Sequence, residues 1–127
     1  MEINYLAVAL AGISAFVLGG LWYSPAGFGK AWQRETGVDT NNVNPGKVFG
    51  GAFVLSLLAA FVFAMFLGPD PSIQLGLGAG FAAGAGWVAT SFGINYLFAQ
   101  RSFKLFLIDG GYHTLQFTLY GLILALL

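Results

Sequence analysis

Two ionisable side chains, Asp109 and His113, lie four residues apart within the last apolar stretch of the chain. Residues at this spacing are one turn apart on the same face of a helix, so the sequence predicts that the two side chains interact directly. Ionisable side chains in apolar segments are rare and usually face a bundle interior or a wet cavity. The pair is therefore the default functional site of this chain.

Polar residues continue along the helix face that carries Asp109. At 100° per residue, Gln116 and Tyr120 lie in the same arc, and Tyr112 flanks it. The preceding apolar segment runs antiparallel, and its polar face, which continues a ridge of glycines, is expected to lie opposite Asp109 and His113. The candidate residues for a ligand site or a proton relay are Trp87, Ser91, Asn95, Asp109, Tyr112, His113, Gln116 and Tyr120.

Three uses of the pair remain open. Asp109 could be a structural charge, paired with His113 and hydrogen-bonded by serines and Asn95, because a buried charge without partners is costly. Arg101 and Lys104 are alternative partners for this charge. The pair could instead relay protons or ions. The third use is a metal site or acid–base chemistry on a lipid-like molecule, but two ligands are an incomplete metal site and the chain has 1 histidine.

Composition indicates a chain that lies in a lipid bilayer. Charged residues make up 8% and hydrophobic residues 57% of the sequence, whereas soluble domains carry about a quarter charged residues. The net charge is zero and no basic patch is present, which excludes nucleic acid as a partner. The absence of cysteine excludes thiol nucleophiles, disulfides and cysteine-bound metals. No catalytic residue, metal ligand set or cofactor is assigned, and a bound lipid is compatible with this composition.

The predicted fold is a single all-α transmembrane domain covering residues 1–127. A membrane-spanning helix needs about 20 apolar residues, and the sequence contains four such segments. Ser72 and Ser102 are predicted helix caps, and Asn44 precedes a proline at a helix start. The first segment opens with Glu2 instead of a basic stretch, so we interpret it as a mature helix and not as a signal peptide. The predicted spans are residues 5–22, 48–67, 73–98 and 103–127.

All positive charge falls in the two loops that four spans would place on one side of the membrane. Positively charged loops stay in the cytoplasm, so both termini are predicted to face outward. Aromatic residues at the start of the first loop fit a membrane–water boundary, and Phe28 and Trp32 predict a short helix on the membrane surface. An irregular loop is the alternative. The residues assigned to this cytoplasmic interface are Trp22, Tyr23, Ser24, Pro25, Lys30, Trp32, Arg101 and Lys104.

Small residues form stripes on the predicted helices, and such stripes let helix backbones approach closely. The clearest stripe is Gly76, Gly80 and Gly84 on the third span. Packing within one chain explains the stripes, but four helices have little interior to share. We therefore expect a homo-oligomer in which small-residue ridges of the second or third span form the interface. The alternative is a subunit of a larger membrane complex.

Two segments, residues 21–32 and 95–113, resemble a bacterial membrane family known as domain of unknown function 1761. The resemblance covers nearly the whole chain and implies a small four-helix protein of the bacterial cytoplasmic membrane, with no activity attached. Ser102 stands where many members have proline. The matching residues are Trp22, Tyr23, Ser24, Pro25, Gly29, Lys30, Trp32, Asn95, Tyr96, Arg101, Lys104, Asp109, Tyr112 and His113.

Three function classes follow from these observations. The first is a transporter or a proton- or ion-permeation protein that uses the Asp109–His113 pair. The second is an accessory or structural subunit of a membrane complex. The third, and least favoured, is a membrane-embedded enzyme that acts on a lipid-like substrate.

Overall fold

A computed structural model describes residues 2–127. The predicted domain begins at Met1, which lies outside this range. The described chain is helical and contains no strand, which confirms the all-α prediction. A short 3₁₀ turn, Thr40–Asn42, lies between the second and third helices. The helices are α1 (Tyr5–Trp22), α2 (Gly29–Thr36), α3 (Pro45–Leu67), α4 (Ile73–Phe98) and α5 (Phe103–Leu126).

Helices α1, α3 and α4 are long and apolar enough to cross a membrane. Helix α5 has 24 residues and is long enough, but Asp109, His113 and Gln116 lower its mean hydropathy. The fourth span therefore stays a prediction. The short helix predicted in the first loop is present as α2.

A side chain caps the start of each of the four long helices. Asn4, Asn44, Ser72 and Ser102 accept hydrogen bonds of 3.0 to 3.2 Å from backbone N–H groups three residues further on. Three of these caps were predicted, and Asn4 is an additional one. Because Asn44 precedes Pro45 at the first helical position, α3 begins three residues earlier than its apolar run.

Helix α5 lies at the centre of the molecule. It packs against α1 on one side and α4 on the other, while α3 packs mainly on α1 and contacts α5 over a shorter length. Ala7, Ala11 and Ala15 of α1 are completely buried, and Tyr120 of α5 is among the largest fully buried side chains. Small residues on α1 thus allow a close approach of neighbouring backbones.

The glycine ridge of α4 packs against another helix of the same chain. A Cβ atom on Gly76 or Gly80 would collide with the backbone of α5 at Gly121 and Phe117. A Cβ on Gly84 would collide with the backbone at His113. Only glycine permits this approach, so the ridge holds α4 against α5.

A π-helical segment, Gly84–Ala89, interrupts α4. Such a segment adds a residue to the turn, so the side chains that follow are rotated relative to a regular α-helix. The regular 3.6-residue period predicted that Ser91 and Asn95 continue the glycine face toward α5. That prediction is wrong: both residues are exposed, and Tyr96 contacts α5 in their place.

Candidate functional site

Asp109 is buried in α5, with 6% of its surface exposed. Its Oδ1 atom accepts a hydrogen bond of 2.6 Å from the hydroxyl of Tyr23, and Oδ2 accepts one of 2.5 Å from the hydroxyl of Tyr96. Tyr23 directly follows α1 and Tyr96 belongs to α4. The carboxylate therefore joins three helices through two neutral donors.

Tyr23 is held as a proton donor by its surroundings. Burial, and then the hydrogen bond to Asp109, raise the pKa of the Tyr23 phenol above its ordinary value. Its ring also packs against Tyr112 and Trp32, at ring-centre distances of 5.4 and 5.8 Å. The phenol thus stays protonated at neutral pH and in one orientation.

The predicted contact between Asp109 and His113 is absent from residues 2–127. Tyrosines from two neighbouring segments occupy both carboxylate oxygens, and His113 instead bonds Gln116, with 2.5 Å between Nδ1 and Oε1. The His113 ring packs against the rings of Phe92 and Tyr112. The prediction was wrong because the i, i+4 rule considers one helix and ignores donors from its neighbours.

The cationic partners proposed for Asp109 do not bind it either. Arg101 donates instead to the carbonyl of Thr36, at 3.3 Å, and therefore fastens the end of α2. Lys104 and Asn95 are exposed, and Asn95 donates to the carbonyl of Ser91 in its own helix, at 3.1 Å. The charge of Asp109 is thus balanced by hydrogen bonds alone.

A second polar group, the His113 chain, runs along α5 from His113 through Gln116 to Tyr120. The amide nitrogen of Gln116 donates to the Tyr120 hydroxyl at 2.7 Å, and that hydroxyl donates to the Ser56 carbonyl of α3 at 2.8 Å. The part of the predicted polar arc from His113 to Tyr120 is therefore connected by hydrogen bonds, while Asp109 has separate partners. The His113 chain links α5 to α3, while Asp109 links α5 to α1 and α4.

One nitrogen of His113 is left free by this arrangement. An amide oxygen only accepts, so Nδ1 carries the proton and Nε2 is an acceptor when the ring is neutral. The ring stacks on Phe92 of α4 with centres 4.9 Å apart, and Tyr112 meets it edge-on at 4.8 Å. Within residues 2–127 no buried side-chain nitrogen or oxygen lacks a hydrogen-bond partner. Because Nε2 has no such partner, it is not fully buried.

Two further bonds fix α5 against α1 beside the carboxylate. The indole N–H of Trp22 donates to the carbonyl of Ile108 at 2.9 Å, and the hydroxyl of Tyr112 donates to the carbonyl of Ala15 at 2.8 Å. Ser24 bonds the carbonyl of Leu21 and shapes the turn after α1. Trp22 and Tyr23, which the sequence assigned to the cytoplasmic interface, thus lie beside Asp109 and form part of its surroundings.

The remaining predicted residues lie away from the carboxylate. Trp87 and Ser91 are exposed on α4, Pro25 is exposed before α2, and Lys30 is exposed within α2. Tyr23 and Tyr96 were the partners that the sequence did not identify. Both lie in the two segments that carry the family resemblance, which was the available signal.

Two cavities in the described chain lie away from the carboxylate, and Asp109 lines neither of them. A cavity of about 550 Å³ lies at the opposite end of the helices, beside Tyr5, Asp70 and Leu124, and one of about 340 Å³ lies against Lys30 and Arg34. Residues 2–127 also contain no group of three or more His, Cys, Asp or Glu that could hold a metal ion.

The apolar helices and the buried carboxylate are consistent with a small helical membrane protein. The family model described as a protein of unknown function (DUF1761) matches residues 6–125, nearly the whole chain, and the chain belongs to this family. The resemblance stated from the sequence is confirmed. No curated protein and no solved structure matches the chain.

Proposed function

We propose that this protein is a four-span membrane protein that moves protons, or a solute together with protons, with Asp109 as the proton-binding group. The observation that carries the proposal is the pairing of Asp109 with two neutral tyrosines and with no cation. Buried charges in proteins are usually paired with an opposite charge or bound to a metal. A carboxylate held by neutral donors can gain a proton without leaving an unpaired cation behind.

Protonation of Asp109 would change the hydrogen bonds that hold three helices together. An ionised carboxylate only accepts hydrogen bonds, whereas a protonated one also donates. The bond to Tyr23 or the bond to Tyr96 must then reverse or break. Since Tyr23 follows α1 and Tyr96 belongs to α4, breaking either bond loosens one helix from α5. Proton binding is in this way coupled to helix movement.

His113 supplies a second proton acceptor one turn further along α5, about 6 Å from Asp109. The amide of Gln116 does not gain or lose protons at neutral pH, so the His113 chain orients the ring instead of conducting protons. The acceptor is the free Nε2 atom, which is not fully buried. A proton would pass between Asp109 and Nε2 through water that enters when a tyrosine bond opens.

The proposed membrane arrangement follows from charge. Helix α5 counts as the fourth span because its 24 residues are about 36 Å long, and its polar residues Asp109, Gln116 and Tyr120 are buried against other helices. The two basic loops lie in the cytoplasm and both termini lie outside. The membrane is the bacterial cytoplasmic membrane that the family resemblance implies.

The test is proton flux in liposomes that contain the purified protein and a pH-sensitive dye. Asp109→Asn keeps hydrogen-bonding capacity but cannot be protonated, and we expect it to reduce flux at least about tenfold. Asp70→Asn is the matched control, because Asp70 is an exposed acid in the turn between α3 and α4. If Asp109→Asn folds normally and its flux equals that of the parent protein, the proposal is wrong.

A second candidate is an accessory subunit of a membrane complex. It is favoured by the position of the cavities, neither of which is lined by Asp109 or His113. In that case the tyrosine–carboxylate contacts serve assembly. Equal and negligible proton flux for the parent protein and Asp109→Asn, with a foreign chain co-purifying in mild detergent, would support this candidate against transport.

A further inference from the structure

The C-terminal half of α4 presents polar side chains to the outside of the molecule. Trp87 is 69% exposed, and Thr90, Ser91 and Asn95 are exposed as well. Trp87 lies eleven residues before Phe98, which is about 16 Å along the helix. With a hydrocarbon core about 30 Å thick, Trp87 would face lipid near the middle of the bilayer.

Lipid is a poor partner for this face. Tryptophan belongs at the membrane–water boundary, where its N–H group finds water. The indole N–H of Trp87 has no hydrogen-bond partner in residues 2–127, and lipid tails offer none. Asn95 uses one amide hydrogen on its own helix and has an oxygen and a second hydrogen to spare.

The π-helical segment is what turns these side chains outward. A regular helix would direct Ser91 and Asn95 toward α5, where polar groups would be available. The segment instead brings Tyr96 to Asp109, so the site and the outward polar face arise from the same local irregularity. This face of α4 is polar, is exposed in a single chain and lies at the depth of the lipid tails. Such a face indicates contact with another protein chain.

We infer that this partner is a second copy of the chain, docked on the same face about a two-fold axis along the membrane normal. Copies inserted in the same orientation bring residues of equal depth together, and such an interface must complement itself. Trp87 lies beside Gly86, which is exposed and has no atom within 4 Å of the position of a Cβ. The indole of each copy fits over Gly86 of the other.

Hydrogen bonds between the two copies make this face complementary to itself. The hydroxyls of Thr90 and Ser91 donate to carbonyls of their own helix, at 2.7 Å to Gly86 and Trp87, and keep lone pairs that can accept. They lie about one turn from Trp87 and receive the indole N–H of the other copy. The two Asn95 side chains meet at equal depth and pair as amides. Every donor thus finds an acceptor within the same sequence, so a different protein is not required.

Disulfide cross-linking in native membranes tests this inference, because the chain has no cysteine of its own. Ser91→Cys is nearly isosteric and should give a disulfide-linked dimer on mild oxidation. Ala52→Cys is the matched control: Ala52 is small, exposed on α3 and, like Ser91, about 10 Å from the end of its helix. We expect at least about fivefold more dimer for Ser91→Cys than for Ala52→Cys.

Trp87→Phe in the Ser91→Cys background removes the indole N–H and should reduce cross-linking several-fold. Dimer formation that is equal for Ser91→Cys and Ala52→Cys would reflect random collision or contact between copies through α3, and would overturn the inference. Absence of dimer from Ser91→Cys would overturn it too, as would an adduct whose mass differs from twice that of the chain. None of these readouts depends on proton flux, so the dimer and the proposed transport function can fail separately.

Discussion

At the scale of single residues, the chemistry of this protein concentrates on one carboxylate and two phenols. Asp109 accepts one hydrogen bond at each oxygen, from Tyr23 and Tyr96. Hydrogen bonds to ionised groups contribute about 1.5–3 kcal/mol each, more than bonds between neutral groups. With no cation beside it, the carboxylate depends on these two donors, and both come from outside its own helix.

Removal of either hydroxyl should therefore destabilise the protein. We expect Tyr23→Phe and Tyr96→Phe each to lower the free energy of unfolding by about 1.5–3 kcal/mol, because each leaves a buried carboxylate oxygen without its donor. Thermal unfolding in detergent measures the loss. Tyr5→Phe is the control, since Tyr5 is 69% exposed and only its ring packs on Phe61. Equal melting temperatures for all three variants would show that the carboxylate does not rely on the tyrosines.

At the scale of helices, α4 carries two glycine patterns, one packed against α5 and one with open space beside it. Gly76, Gly80 and Gly84 face the backbone of α5, while Gly78 and Gly86 have open space beside them. The sequence analysis allowed the first pattern to pack within the chain or to form the interface between copies, and the structure places it inside the chain. Spacing alone does not distinguish the two patterns, because both consist of small residues at four- or eight-residue intervals.

Alanine substitutions should separate these glycines. Gly80→Ala would drive a methyl group into the α5 backbone at Phe117, and we expect a loss of about 1–3 kcal/mol, typical of overpacking. Gly78→Ala adds the same methyl group in open space and should be neutral or stabilise by up to about 1 kcal/mol, since alanine favours helix more than glycine does. Thermal melts in detergent compare the two. A melting temperature of Gly80→Ala at or above that of Gly78→Ala would contradict the close contact between α4 and α5.

Helix α4 also contains a feature that the sequence did not predict. Helix starts follow from local chemistry, so Asn44, Ser72 and Ser102 were identified as caps. The π-helical segment Gly84–Ala89 has no comparable local signal, because it depends on how α4 meets α5. One added residue rotated the rest of α4. It exchanged Asn95 for Tyr96 at the carboxylate and so altered the predicted site without altering the predicted helix.

At the scale of the whole molecule, α5 organises the fold. It contacts the four other helices and holds both polar groups, the Asp109 site and the His113 chain. The apolar composition made the class of protein predictable, and the single histidine and Asp109 drew attention to α5. The partners of these residues depended on the arrangement of helices in space, which residue spacing along one helix does not encode.

The same helix decides the membrane topology. If α1, α3, α4 and α5 all cross, both termini lie outside. Every Lys and Arg then lies on the cytoplasmic side, in the two connections or at the adjoining helix starts. If the polar residues of α5 prevent it from crossing, the C-terminus stays in the cytoplasm while the N-terminus remains outside. We expect the first arrangement, because Asp109 and Gln116 are buried against other helices and do not face lipid.

A reporter active only in the cytoplasm distinguishes these arrangements when it is fused to either end. We expect no activity at either terminus and strong activity when the reporter is inserted in the exposed 3₁₀ turn Thr40–Asn42, which serves as the positive control. Activity at the C-terminus alone would mean that α5 does not cross and that the protein has three spans. Activity at both termini, with none in the first loop, would keep four spans but reverse the orientation, and the positive charges would then face outward.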